Sequence, residues 1–239
     1  MRLIILAAGK SSRIFKDIGK HKCLLNVNNQ TLLSKIINDS LFNKIKKISV
    51  VVGYRASILK NYIQKHHKKI KIINNKQYYN TDMLHSAILG LKGINDDVII
   101  SYSDIFYDKK ILKRIIKKKS KDIAIPIKTD WLQVWKMRKK KIKSDAESLE
   151  FNKQSYLLSI GGKILNKYPK GQYMGLIFIP KNLIKNFLLT YKNNKIKKMQ
   201  MSNYLNLLIK SNFKIKVIKL KNYWYEFDDI EDFNNFKFR

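Results

Sequence analysis

Short, wholly apolar runs alternate with stretches that are apolar on one face only, and no other feature constrains the fold of this chain as strongly. Residues 3–7 form the first run, Leu-Ile-Ile-Leu-Ala, and similar runs recur at 48–52, 70–73 and 98–102. A run that is apolar at nearly every position has no solvent face, so it reads as a strand covered on both sides. Between the runs, residues 31–42 carry apolar side chains at 32, 33, 36, 37 and 41, the spacing of one helix face. Residues 57–66, 83–91 and 109–118 read as helices in the same way. Strand-then-helix units repeated along the chain imply a parallel sheet with helices on both faces.

The second half is less regular. Residues 123–127, 132–137, 156–160 and 175–179 read as strands, 181–191 and 199–211 as helices, 213–220 as a late strand and 229–236 as a closing helix. No Pro-, Gly- or Ser-rich linker interrupts the 239 residues and no internal repeat is visible, so a single domain over 1–239 is expected. The apolar start after Arg2 imitates a leader, but it is short and Lys10 and Arg13 follow directly, so it reads as a buried strand. No stretch reaches the roughly 20 apolar residues of a membrane span. The single cysteine, Cys23, excludes an internal disulfide and a cysteine-rich metal site, and a reducing, cytoplasmic setting is the expectation.

A formal net charge of +33 points at first to nucleic acid. Of the 50 basic residues, however, six are arginine (2, 13, 55, 114, 138 and 239) and the remaining 44 are lysine. Abundant Lys, Asn and Ile with scarce Gly and Pro is the signature of an AT-rich coding sequence acting on solvated positions. Nucleic-acid readers lean on arginine for bidentate contacts. The lysines are therefore read as surface that speeds the arrival of an anionic substrate, with no nucleic-acid partner expected.

The chemistry-bearing positions begin right after the first strand. Gly9, then Lys10, Ser11, Ser12 and Arg13, form a loop whose backbone N–H groups, hydroxyls and guanidinium suit a polyphosphate. The same residues also make a plain strand-to-helix turn. The spacing lacks the second glycine and Gly-Lys of a P-loop and the three glycines of a dinucleotide fingerprint. Asp104 follows the fourth strand, so it shares the crevice at the strand carboxyl ends with the Gly9 loop. The histidines, His21, His66, His67 and His85, show neither triad partners nor zinc spacing.

Leu6-Ala7-Ala8-Gly9-Lys10-Ser11-Ser12-Arg13, followed by His21-Lys22-Cys23-Leu24, resembles the signature of nucleotidyltransferases that activate sugar phosphates and phospho-alcohols. It departs at Ser11, where glycine is usual, and at His21, where proline is usual. Ser103-Asp104-Ile105 and Tyr225-Glu226-Phe227-Asp228 are similar to that family's two acidic segments. The series Trp131-Leu132-Gln133-Val134-Trp135-Lys136-Met137-Arg138, Ser144-Asp145-Ala146-Glu147 and Gly171-Gln172-Tyr173-Met174-Gly175-Leu176 resembles the subgroup of phosphocholine, phosphonate and capsule-modification cytidylyltransferases.

The resemblance implies a Rossmann-like nucleotidyltransferase α/β fold, with a mostly parallel central sheet, helices on both faces and a mixed α/β second lobe. Residues 1–120 would form the nucleotide-binding half and 121–239 the acceptor-binding and C-terminal half. It implies Leu6, Ala7, Ala8, Gly9, Lys10, Ser11, Ser12 and Arg13 as the nucleotide cradle, and Tyr79, Asn80, Thr81 and Ser86 beside the base or ribose. Arg13 and Lys22 would be catalytic, Asp104 and Asp228 would hold Mg²⁺, and Asp145, Glu147 and Tyr173 would line the acceptor pocket. A plainer reading makes Trp131 and Trp135 core and leaves Asp145 and Glu147 in solvent. The reaction implied is transfer of CMP from CTP to a phosphorylated small molecule with release of pyrophosphate. A sugar-1-phosphate nucleotidyltransferase using another triphosphate is the alternative in the same class, and a non-enzymatic basic nucleic-acid binder the alternative outside it. The oligomeric state stays open.

Overall fold

The computed structural model describes residues 1–10, 19–165, 167–196 and 198–236. Among them the main sheet has eight strands. Arg2–Ala7 lies inside it, parallel to Lys47–Val52 on one side and to Val98–Tyr102 on the other. Lys71–Asn74 extends the parallel set beyond Lys47–Val52. On the opposite flank Leu176–Ile179 runs antiparallel to Val98–Tyr102, followed by Ile123–Lys128 and Ile215–Leu220, parallel to each other. The short strand Gln172–Tyr173 pairs antiparallel with the end of Ile123–Lys128.

The first strand shows why its sequence is apolar throughout. Leu3, Ile5 and Ala7 face one hydrophobic cluster and Ile4 and Leu6 the other, so alternate side chains feed two cores. The first core takes Leu32–Phe42, Ala56–His66 and Lys110–Lys118 through residues such as Ile36, Leu59 and Ile111. The second takes Met83–Leu91, Lys181–Asn193 and Met201–Lys210 through Leu84, Phe187 and Leu205. Helices thus cover both faces, as the alternation predicts. No helix among the described residues is long and apolar enough to cross a membrane.

One element differs in kind from expectation. The stretch 132–137, expected as a strand, lies in a helix, Trp131–Arg138. Its tryptophans and valine favour strands by type, but the buried residues are Trp131, Val134, Trp135 and Arg138, the i, i+3, i+4, i+7 set of a helix. Burial of that stripe against the closing helix Ile230–Asn235 and the aromatic C-terminal segment overrides residue propensity.

Two short pairings add strands at 105–107, 147–151 and 224–226, where no strand is expected, while Leu157–Lys163 falls on the strand expected at 156–160. Ile105–Tyr107 pairs antiparallel with Trp224–Glu226, which brings the segment after the fourth strand against the C-terminal segment. Glu147–Phe151 pairs with Leu157–Lys163 as a separate ribbon.

Candidate active site

A cavity of about 440 Å³ opens where the first strand ends. Leu6, Ala8, Gly9 and Lys10 form one wall, and Tyr79, Thr81 and Ser86 another. Asn75 ties the second wall together, its side-chain amide donating to Ser86 Oγ at 3.1 Å and to Thr81 Oγ1 at 3.2 Å. Ala7 is buried in the strand, and neither it nor Asn80 lines the cavity. Ser11, Ser12 and Arg13 lie outside the described residues. Asn75, Tyr78, Asp82, Met83 and Lys198 complete the lining, and the sequence reading did not single them out.

The glycine the protein itself demands here is Gly53. A Cβ on Gly53 would stand 2.7 Å from Tyr78 Cβ and 2.8 Å from the carbonyl oxygen of Ala8, whereas one on Gly9 would meet nothing within 4 Å. Tyr54 N–H donates to that same Ala8 oxygen at 3.1 Å, so the turn after the second long strand braces the first loop. Gly53→Ala is therefore expected to lose about 1–3 kcal/mol, because backbone and not a flexible side-chain end must yield. A thermal unfolding curve checks this; an unchanged midpoint would contradict the brace.

Lys22 opens a short 3₁₀ turn, Lys22–Leu24, and is almost wholly buried. Its Nζ lies 3.5 Å from Asp104 Oδ2 and 3.4 Å from Asp228 Oδ1. The antiparallel pairing of Ile105–Tyr107 with Trp224–Glu226 is what brings the two aspartates together, and Phe227 N–H donates to the Asp104 carbonyl at 2.9 Å. Burial raises the Asp104 pKa; Lys22 opposes this and the neighbouring Asp228 adds to it. The departure at His21 is accommodated by the backbone, since φ −62° and ψ 141° are values proline itself adopts. The imidazole is buried edge-on against Tyr54, and that burial lowers its pKa.

Behind these carboxylates stands Arg138, fully buried. Its guanidinium donates through Nε and one terminal nitrogen to both oxygens of Asp232, each at 2.9 Å. The same terminal nitrogen reaches Asp228 at 2.9 Å, and the other is 3.4 Å from Asp145. Burial works against the Arg138 charge, but the Asp232 hydrogen bonds and the field of Glu226, Asp232 and Asp228 outweigh it. Asp232 also accepts the Asp228 N–H at 2.7 Å and shares a capping box with Asp229 at the start of Ile230–Asn235. Asp228 is thus fixed twice, at its backbone by Asp232 and at its carboxylate by Arg138. The sequence reading assigned no role to Arg138, Asp232 or Glu226. The available signal was the arginine itself, which stands in a chain that uses lysine almost everywhere.

A second cavity, of about 280 Å³, shares Asp82 and Met83 with the first. Asp145, Glu147 and Tyr173 all line it, beside Asp228 and Glu226. The plainer reading holds for the tryptophans, because Trp131 and Trp135 are both core residues, although Trp135 also reaches the cavity wall. Gln172 fixes Glu147 through its backbone, accepting its N–H at 3.2 Å and donating to its carbonyl at 2.6 Å.

Two adjoining cavities thus lie at the strand carboxyl ends, one under the first loop and one bordered by Asp145, Glu147, Glu226 and Asp228. Residues 3–163 match the MobA-like NTP transferase domain. A CTP:phosphoglutamine cytidylyltransferase of Campylobacter jejuni is 30% identical over 252 residues, which cover 97% of each chain. Of solved structures, the inositol-1-phosphate CTP transferase of T. maritima superposes with a TM-score of 0.76 at 16% identity, covering 97% of this chain and 90% of that one. The CTP:phosphocholine cytidylyltransferase of Streptococcus pneumoniae gives 0.72 at 17% identity, covering 98% and 96%. At such identities these structures establish a shared nucleotidyltransferase fold, and the match over most of the sequence establishes more: the chain belongs to the family of MobA-like NTP transferase domains.

Proposed function

We propose that this protein transfers the cytidylyl group of CTP to a phosphorylated small molecule and releases pyrophosphate. The observation that carries the reading is the placement of Lys22 between Asp104 and Asp228, beside a cavity that shares a wall with the one under the first loop. The full-length similarity to a CTP-using relative favours cytidine over other bases.

An acceptor phosphate is already anionic at neutral pH, so no general base is needed to prepare it. The reaction forms a bond from an acceptor phosphate oxygen to the α-phosphorus of CTP and breaks the bond from that phosphorus to the bridging oxygen, which leaves with pyrophosphate. Catalysis then consists of holding two anions in line and neutralising the charge that develops on the leaving group. In this reading the first loop holds the triphosphate, with Arg13 on its outer phosphates. Lys22 neutralises the α-phosphate or the incoming acceptor phosphate. Asp145, Glu147 and Tyr173 receive the rest of the acceptor.

The carboxylates suit Mg²⁺. Asp104 Oδ1 is buried without a hydrogen-bond partner among the described residues, and hard oxygen donors in small number are what this ion takes from proteins. Among the described residues no group of three His, Cys, Asp or Glu stands in ligating arrangement. Asp104 and Asp228 would therefore hold the ion, with phosphate oxygens and water as its other ligands. Its chemistry there is neutralisation of phosphate charge.

A pyrophosphate-release assay tests the reading, with CTP, UTP, dTTP, GTP and ATP each offered phosphocholine, aminoalkyl phosphonates, phosphoglutamine and sugar 1-phosphates. Turnover with CTP and a non-sugar acceptor is the expected result. Turnover confined to a sugar 1-phosphate with another triphosphate would replace it with the sugar-nucleotide alternative.

A further inference from the structure

The chain carries 50 basic residues against 17 acidic ones. Yet the smaller cavity is walled by Asp82, Asp145, Glu147, Glu226 and Asp228, and by no lysine, arginine or histidine among the described residues. A composition that puts lysine on nearly every wet surface has been reversed here. Asp145 and Asp228 are paired with Arg138. Among the described residues Glu147 has no such partner: its carboxylate accepts a long hydrogen bond from Ser202 Oγ, 3.5 Å, and burial raises its pKa. A second observation also points to a ligand. Trp135, 3% exposed and on the same cavity wall, has an Nε1–H with no hydrogen-bond partner among the described residues.

The aromatic rings of this cavity are already engaged by the protein. Arg138 lies 5.2 Å from the Trp135 ring centroid and Trp224 stacks on that ring at 6.3 Å. Tyr102 and Tyr173 meet edge to face at 5.8 Å, and Gly175 packs so close to Tyr102 that a Cβ there would stand 3.0 Å from the ring. A quaternary ammonium is bound chiefly through open aromatic faces, and it has no N–H to offer a carboxylate. A primary ammonium has three donors. A neutral hydroxyl would leave the buried acids without a cation.

We propose that the acceptor carries a protonated primary amine besides its phosphate, received by Glu147 with Asp82 and Glu226 beside it, while Trp135 Nε1 donates to an oxygen of the same molecule. This rests on the cytidylyl-transfer reading and names its acceptor class. Recognition is by charged hydrogen bonds, so methylating the amine removes it as surely as replacing it by hydroxyl.

The test measures pyrophosphate release by the full chain with CTP and Mg²⁺. The acceptors are ω-aminoalkyl phosphates from aminoethyl to aminopentyl, each beside its trimethylammonium and hydroxyl counterparts. The best amine should exceed both counterparts in kcat/KM by about 10²-fold, as a site built to bind N–H donors rejects analogues without them. Glu147→Gln should erase most of that preference, raising KM for the amine with KM for CTP unchanged, and Glu147→Asp should restore part of it. Equal or better turnover of a trimethylammonium or hydroxyl acceptor with CTP overturns the proposal and leaves cytidylyl transfer standing. An unchanged preference in a folded Glu147→Gln variant overturns it too. Preference for the amine with a triphosphate other than CTP supports it while overturning the cytidylyl reading.

Discussion

Replacing Arg138 by methionine is expected to destabilise the protein by about 3–5 kcal/mol, since it leaves Asp232, Asp228 and Asp145 without their common cation. For a chain of this length that corresponds to a fall of roughly 10 °C in Tm. Methionine fills much of the arginine's volume, so the loss reports the charge and not a cavity. Arg138→Lys separates two roles of the residue. A lysine keeps the charge but cannot span both Asp232 oxygens and Asp228 at once. That variant should retain most of the stability and still lose activity, because the Asp228 carboxylate is no longer held. A methionine variant that melts within a degree or two of the parent would show that the cluster does not depend on its cation.

Asp104→Asn should behave in the opposite way. Burial and Asp228 both raise the pKa of Asp104, so its ionised form is disfavoured in the folded state, and a neutral amide relieves repulsion. Stability at neutral pH should therefore stay level or rise, while pyrophosphate release falls by about 10³-fold, a loss typical of removing one element of transition-state charge stabilisation. Lys22→Ala should lose activity on a similar scale, but with a different metal dependence. Without the ammonium between them, Asp104 and Asp228 present more negative charge, and the Mg²⁺ concentration giving half-maximal rate should drop. Full activity in Asp104→Asn would remove the metal assignment.

The sequence revealed the parts of this molecule where one physical signal dominated. Strands buried on both faces, such as Arg2–Ala7 and Val98–Tyr102, and helices with one apolar stripe, such as Met83–Leu91, were legible because burial alone sets their pattern. Trp131–Arg138 was misread because residue type and periodicity pointed in different directions, and periodicity was right. The short ribbon of Ile105–Tyr107 with Trp224–Glu226 was not legible, since its pairing is long-range and each strand is only three residues long. At the site, resemblance to a known subgroup singled out Asp145, Glu147 and Tyr173, and all three line one cavity. Asn75 and Asp232 were invisible, because their roles are hydrogen bonds to neighbours that only the fold brings near. Arg138 was legible in principle: an arginine kept where the composition favours lysine marks a place that needs the planar fork.

If this crevice moves the α-phosphorus of CTP, with its cytidine, onto a phosphorylated acceptor, the fate of that phosphorus reports it. With CTP labelled at the α-position, Mg²⁺ and an aminoalkyl phosphate, the label should pass into a CDP-linked product in step with unlabelled pyrophosphate. The Asp104→Asn variant should leave it in CTP. Release of the label as free CMP, or transfer only when CTP is exchanged for another triphosphate, would contradict the account.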